Sequence, residues 1–146
     1  MTDDNIQDAL REVRLAGRFQ RIPGEGGVEW VLDVAHNADA AAVLAGNLAR
    51  YPARGRTLAV CGMLADKDAR AVVAVLRGCV DHWIAASTDG PRGLEDRALA
   101  VQAAAVGVTM TLGGTVRDAM RLAAAAAAAG DRILVFGSFH TVGPAL

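Results

Sequence analysis

Val28-Glu29-Trp30-Val31-Leu32-Asp33-Val34-Ala35-His36-Asn37-Ala38-Asp39-Ala40-Ala41 is the stretch whose reading decides the fold of this chain. An apolar run, Trp30-Val31-Leu32, meets an acid at Asp33. A short polar turn, His36-Asn37, follows, and then a helical run begins. A strand that ends in an acid and feeds a helix start aims that acid out of the carboxyl edge of a sheet. That edge is where open α/β sheets bind their ligands. Asp33 has two acceptor oxygens, enough to take both hydroxyl protons of a ribose. His36 sits three residues on, in the turn. Asp39, just inside the helical run, is favourably placed near its positive end. The same pattern also fits a plain helix cap at Asp33 and a solvated loop histidine at His36.

Upstream of this stretch, Thr2 or Asp3 can cap a helix over Asp4 to Leu15, with Ile6, Leu10 and Val13 on one face. Arg18 to Ile22 then reads as a short strand, Pro23-Gly24-Glu25-Gly26-Gly27 as a turn, and Val28 to Asp33 as the returning strand. The glycines supply the positive φ angles of a hairpin connection. Such a pairing carries Arg18 and Asp33 toward neighbouring positions at one end of the hairpin.

Downstream, strands alternate with helices. A helix spans Ala38 to Arg50, a strand Arg56 to Cys61, and a helix opens in Ala65-Asp66-Lys67-Asp68 and runs to about Arg77, with Gly78 as its cap. His82 to Ala86 is a strand, Leu94 to Ala105 a helix and Val108 to Leu112 a strand. Gly113-Gly114-Thr115 opens a last long helix to Ala129, ending in seven alanines of high helix propensity and capped by Gly130. Ile133 to Phe136 is an unbroken apolar run, as in a strand buried on both faces. The alternation implies one α/β domain over residues 1–146: a Rossmann-like three-layer sandwich. Its sheet is mostly parallel with right-handed crossovers, and an N-terminal antiparallel strand joins it.

The composition supports a core of Ala, Val and Leu: 53% of residues are hydrophobic and only 4% aromatic. A length of 146 residues suits one domain. The net charge of −1, with both signs mixed along the chain, gives no basic footprint for a nucleic acid or a membrane surface. Cys61 and Cys79 match no metal spacing and read as buried free thiols of a reducing, cytoplasmic compartment. No apolar run reaches the roughly 18 residues of a membrane span, and the first residues are too polar for a signal peptide.

A parallel sheet gathers its functional loops at the carboxyl ends of the strands. Four polar loops meet there: Asp33–Asn37, Gly62–Asp68, Ser87–Gly93 and Gly137–Thr141. In the last, Gly137 permits close backbone approach and Ser138 presents a hydroxyl, either to a ligand or as an N-cap. His82 lies inside a strand pattern and reads as structural; Lys67, flanked by acids, reads as a solvated ion pair. There is no G-x-x-x-x-G-K-[ST] phosphate loop and no G-x-G-x-x-G. A nucleoside contact without a phosphate cradle is half of a site.

Five motifs occur in order: Ala16-Gly17-Arg18-Phe19-Gln20, Leu32-Asp33-Val34-Ala35-His36-Asn37, Gly62-Met63-Leu64-Ala65-Asp66-Lys67-Asp68, Gly90-Pro91-Arg92-Gly93 and Val135-Phe136-Gly137-Ser138-Phe139-His140-Thr141-Val142. Together they resemble the C-terminal domain of bacterial bifunctional dihydrofolate synthase/folylpolyglutamate synthases, relatives of the Mur ligases, over nearly the whole chain. The chain departs from that pattern at Ala16 and at Ala38, where the family usually has proline. Both changes touch backbone stiffness rather than a ligand atom.

The resemblance implies a Mur ligase C-terminal type of fold and an ATP-dependent ligase. In it, ATP phosphorylates the carboxylate of dihydropteroate or a folate, and the amine of L-glutamate attacks the acyl phosphate. The intermediate then collapses to an amide and phosphate. The resemblance also implies that the phosphate loop and the Mg2+ ligands belong to an N-terminal ATPase domain, so this chain by itself is inactive and supplies no metal ligand. By match to the family, Asp33 contacts the ribose hydroxyls of ATP and Arg18 the ribose–phosphate region. His36 and Ser138 face the cleft near the incoming glutamate. Two rivals stand beside this reading. One is another Mur-type ligase acting on a cell-wall precursor, for which Asp-Asn-Pro-Arg would be expected in place of Asp89-Gly90-Pro91-Arg92. The other is a non-enzymatic α/β module that binds a nucleotide or a protein partner.

Overall fold

The computed structural model describes residues 19–137. In chain order they form β1 (Gln20–Pro23), β2 (Glu29–Asp33), α1 (Ala38–Arg50), β3 (Thr57–Cys61), α2 (Ala69–Leu76), β4 (His82–Ser87), α3 (Asp96–Ala104), β5 (Met110–Thr115), α4 (Val116–Ala126) and β6 (Arg132–Phe136). Short 3-10 turns occupy Glu25–Gly27 and Arg77–Cys79. The helix expected over Asp4 to Leu15 lies outside the described residues.

One six-stranded sheet has the order β1-β2-β6-β3-β4-β5. The expected hairpin is present: β1 pairs antiparallel with β2, Gln20 opposite Leu32 and Pro23 opposite Glu29. Gly26 and Gly27 supply its positive φ angles, +67° and +79°. Every other pairing is parallel. The last strand returns to the middle of the sheet, between β2 and β3. Its register aligns Asp33, Phe136, Cys61 and Ala85 across four neighbouring strands. Their carboxyl ends therefore form one level edge.

Neighbouring strand residues divide between two cores, as the alternation of side chains across a pleated strand requires. Val31, Ala59, Ala85, Leu134 and Phe136 pack with Ala41, Leu44, Val72, Leu76 and Leu99 from α1, α2 and α3. Leu32, Val60, Ile84 and Val135 pack with Val116, Ala119, Met120 and Ala123 from α4 on the opposite face. The sheet is covered on both faces, as expected. Trp83 meets the ring of Phe136 edge-on at 6.1 Å at the sheet centre.

Five local expectations are corrected. Gly113 and Gly114 belong to β5, and the last helix opens only at Val116 with Thr115 as its cap. A side chain at 113 would press into Ile84 and Ala119, so the glycine lets α4 lie close on the sheet. That helix stops at Ala126, inside the alanine tract, and Ala127 is extended. The Ala128 amide donates instead to Asp131 Oδ2 at 2.8 Å, and the Ala126 carbonyl accepts from Arg56 Nη2 at 2.9 Å. Tertiary partners override helix propensity here. Gly130, φ +91°, is a turn residue four places beyond the helix, and Gly78 lies within the 3-10 turn without a positive φ. Finally, Cys61 is buried but Cys79 only half-buried; both are free. Burial pushes the Cys61 thiol far above its usual range, so it is inert.

Candidate functional site

Asp33 ends β2 and is 4% exposed. Its Oδ1 accepts the Ala35 amide at 2.8 Å and its Oδ2 the Phe19 amide at 3.0 Å. The carboxylate thus ties the turn that leaves β2 to the chain that enters β1. Phe19 has φ +49°, the sole non-glycine residue with positive φ among those described. For a bulky residue that conformation costs on the order of 1–3 kcal/mol and persists where its surroundings hold it. The charged acceptor on its amide and the Tyr51 ring at 5.8 Å do so. Arg18 lies outside the described residues. Phe19, next to it in sequence, donates its amide to Asp33 Oδ2.

Asp33 does not cap the following helix. Asn37 does: its side chain accepts the Ala40 amide at 2.8 Å. The signal was legible, because Asn before an alanine-rich run is a strong N-cap. Ala38 takes the first helical position, where proline and alanine both fit, and Asp39 lies in the first turn as expected. His36 is half-buried, with Nδ1 3.0 Å from the Val34 carbonyl. A carbonyl only accepts, so Nδ1 carries a proton and Nε2 is the acceptor of the neutral ring.

The loops after β3 and β4 are joined into one body. Leu64 and Gly93 form an antiparallel bridge, and the Ala65 amide donates to the Arg92 carbonyl at 2.9 Å. The buried Thr88 hydroxyl donates to the Met63 carbonyl at 3.0 Å and accepts the Leu94 amide at 2.8 Å. Thr88 carried no distinguishing signal in the sequence, since one hydroxyl in a polar loop is ordinary. The ion pair of this region is Arg92 on Asp66, 2.5 Å, in place of the pair expected at Lys67. The Arg92 hydrogen bond holds the Asp66 carboxyl below its usual range. His82 is exposed at the start of β4, at the far end from this edge.

Gly137 permits the close approach expected of it. Its φ is +130°, and any side chain there would collide with the Gly62 carbonyl. The Gly62 amide donates to the Phe136 carbonyl at 3.1 Å, so the loops leaving β3 and β6 touch through backbone alone. Ser138 lies outside the described residues.

This edge offers acceptor oxygens at Asp33 and an acceptor nitrogen at His36. The Asp33 carboxylate only accepts hydrogen bonds, the chemistry that takes the hydroxyls of a sugar. Among the described residues no three His, Cys, Asp or Glu side chains cluster to hold a metal ion. None of their helices is long and apolar enough to cross a membrane.

Comparison with known proteins bears on this edge. Residues 17–139 match the family model described as Mur ligase, glutamate ligase domain. The chain is 39% identical over 142 residues to the dihydrofolate synthase/folylpolyglutamate synthase of Escherichia coli (strain K12), covering 97% of this chain and 32% of that protein. It is 31% identical over 150 residues to the UDP-N-acetylmuramoyl-L-alanyl-D-glutamate–2,6-diaminopimelate ligase of Geobacter sulfurreducens, covering 88% of this chain and 29% of that one. Among solved structures, it superposes with TM-score 0.78 and 39% identity on a bifunctional folylpolyglutamate synthase/dihydrofolate synthase with Mn, AMPPNP and L-glutamate bound. That match covers 88% of this chain and 30% of the other. The chain spans about a third of the length of the curated relatives it matches.

Proposed function

The chain belongs to the family of Mur ligase glutamate ligase domains, and from that membership we propose that it is the C-terminal domain of an ATP-dependent ligase. The ligase adds L-glutamate to dihydropteroate and to folates through an acyl phosphate. The observation that carries this reading is 39% identity, over nearly the whole chain, to an enzyme of that name. The rigid carboxyl edge around Asp33 supports it.

In this reading Asp33 accepts the ribose hydroxyls of ATP, while its amide bonds keep the carboxylate from turning away. Arg18, next to the strained Phe19, contacts the ribose–phosphate region. His36 Nε2 and the Ser138 hydroxyl face the incoming glutamate and orient its amine toward the acyl phosphate. An N-terminal domain of the same protein supplies the phosphate loop and the Mg2+ ligands. The protein works in the cytoplasm, where its ATP, folate and glutamate are found and free cysteines stay reduced.

The likeness to a diaminopimelate ligase favours a second reading, a cell-wall ligase. One assay separates the two. The whole protein is given ATP, Mg2+ and L-glutamate with dihydropteroate, and in parallel ATP, Mg2+ and diaminopimelate with a UDP-muramoyl dipeptide. Phosphate release with the pteroate alone is expected. Release only with the muramoyl acceptor would overturn the folate reading.

A further inference from the structure

A second cleft lies at the opposite end of the sheet, at the amino ends of β2 and β6. It has a volume of about 390 Å³, and its walls include Arg21, Glu29, Arg54, Gly130, Asp131 and Arg132. Arg132 is 3% exposed. Its Nη1 donates to the Tyr51 carbonyl at 2.6 Å, and its Nε–H is buried without a hydrogen-bond partner among the described residues. The nearest carboxylate, Glu29, stands 3.9 Å away and already holds Arg21 at 2.9 Å. Asp131 is occupied by the Arg56 guanidinium and by the amides of Arg56 and Ala128. Arg54 is exposed and makes no ion pair among the described residues. Three guanidiniums thus line one cleft beside two carboxylates that are already engaged, in a chain of net charge −1.

A buried cation left short of counter-charge is costly, and burial lowers the pKa of Arg132 from the usual arginine range. We propose that this cleft is a binding site for a small oxyanion, a phosphate or a carboxylate, held by Arg132 and Arg54 with Arg21 at the rim. The planar guanidinium fork matches both groups. Five-residue strands put the cleft about 17 Å from the carboxyl edge, at about 3.3 Å per residue. Its occupant therefore does not compete with a ligand bound beside Asp33. The carboxyl end of α1, capped at Tyr51 just before the wall residues Pro52 and Ala53, opposes an anion through its dipole. The expected affinity is therefore weak, a dissociation constant of about 1 mM.

The test is a titration of the 146-residue chain, at constant ionic strength, with inorganic phosphate, with L-glutamate and with chloride. The readouts are the backbone amide resonances of Arg54, Gly130 and Arg132, the Arg132 Nε–H resonance and the melting temperature. Saturable shifts with phosphate or glutamate, and none with chloride, are expected; whichever anion saturates names the source. Arg54→Gln, on an exposed and unpaired side chain, should weaken binding about two- to fivefold, the worth of one exposed charge contact. Arg54→Glu should weaken it further, with the melting temperature without ligand little changed. Absence of saturation with both anions overturns the proposal, as does saturation that both Arg54 variants leave unchanged. An unfolded chain is replaced by the whole protein, read by anion-dependent melting in the same variants.

Discussion

Two buried aspartates sit at opposite ends of neighbouring strands. Asp33 closes β2 at the carboxyl edge, and Asp131 precedes β6 at the amino edge; each is 4% exposed. Each gathers two backbone amides from segments distant in sequence or bent back on themselves. The difference is in their place on the sheet. Asp131 has the Arg56 guanidinium at 3.0 Å. The amides of Ala128 and Arg56, then that guanidinium, hold its carboxyl below the usual range. It is a structural knot that ends α4, starts β6 and anchors the approach to β3. Asp33 performs the same backbone task at the carboxyl edge, where we place the ribose of ATP. A charged acceptor at a fold's joint and the one we propose for a ligand are thus built from one residue type and one bonding pattern. Position on the sheet separates them.

The largest expected effect separates the two by substitution. In the whole ligase, Asp33→Asn should weaken ATP binding by about 1.5–3 kcal/mol, the worth of a hydrogen bond to a charged group, or roughly ten- to hundredfold in the constant for ATP. It should also destabilise the domain by about 1–3 kcal/mol, because one amide then faces an NH2 group. Asp131→Asn should lower stability while leaving the ATP constant unchanged. ATP saturation and melting curves of both variants check this. An equal change in ATP binding in both would mean that Asp33 acts through the fold alone.

Gly137→Ala tests the carboxyl edge without touching a charge. A methyl group there meets the Gly62 carbonyl, and φ is +130°. The expected loss is on the order of 1–3 kcal/mol in chemical denaturation, with the midpoint shifted. A midpoint equal to that of the parent would show that the β3 and β6 loops do not need their backbone contact. Asn37→Ala removes a cap acceptor at the same edge and should cost about 1 kcal/mol. Asn37→Asp should recover it.

Acid titration sharpens the comparison from the other edge. The folded-state pKa of Asp131 is depressed, so its stabilisation is complete above the unfolded value of about 3.9 and fades as pH falls through the folded value. Asp131→Asn should therefore flatten the stability curve below about pH 4, as melting curves across that range would show. The smallest effect is expected at Arg92. Its pair with Asp66 joins two exposed side chains, so Arg92→Gln should change stability by less than about 1 kcal/mol.

Local sequence determined the order of strands and helices, the hairpin and the position of Asp33. Each of these rests on a period, a turn residue or a cap within a few residues. Val28 to Asp33 reads as a strand by itself, and the Gly26-Gly27 turn needs only its own φ angles. Tertiary structure alone decided that β6 enters between β2 and β3, because Glu29 and Thr57, the pairing partners of Arg132, lie far back in the chain and an apolar run does not name its neighbour. It also decided that α4 ends at Ala126 rather than Ala129. The buried link from Thr88 to Met63, and the crowding of Arg132 with Arg21 and Arg54, were decided the same way. In each case a polar group takes the partner that burial leaves within reach. Which partner that is depends on segments the fold brings together, such as Arg56 and Asp131, 75 residues apart.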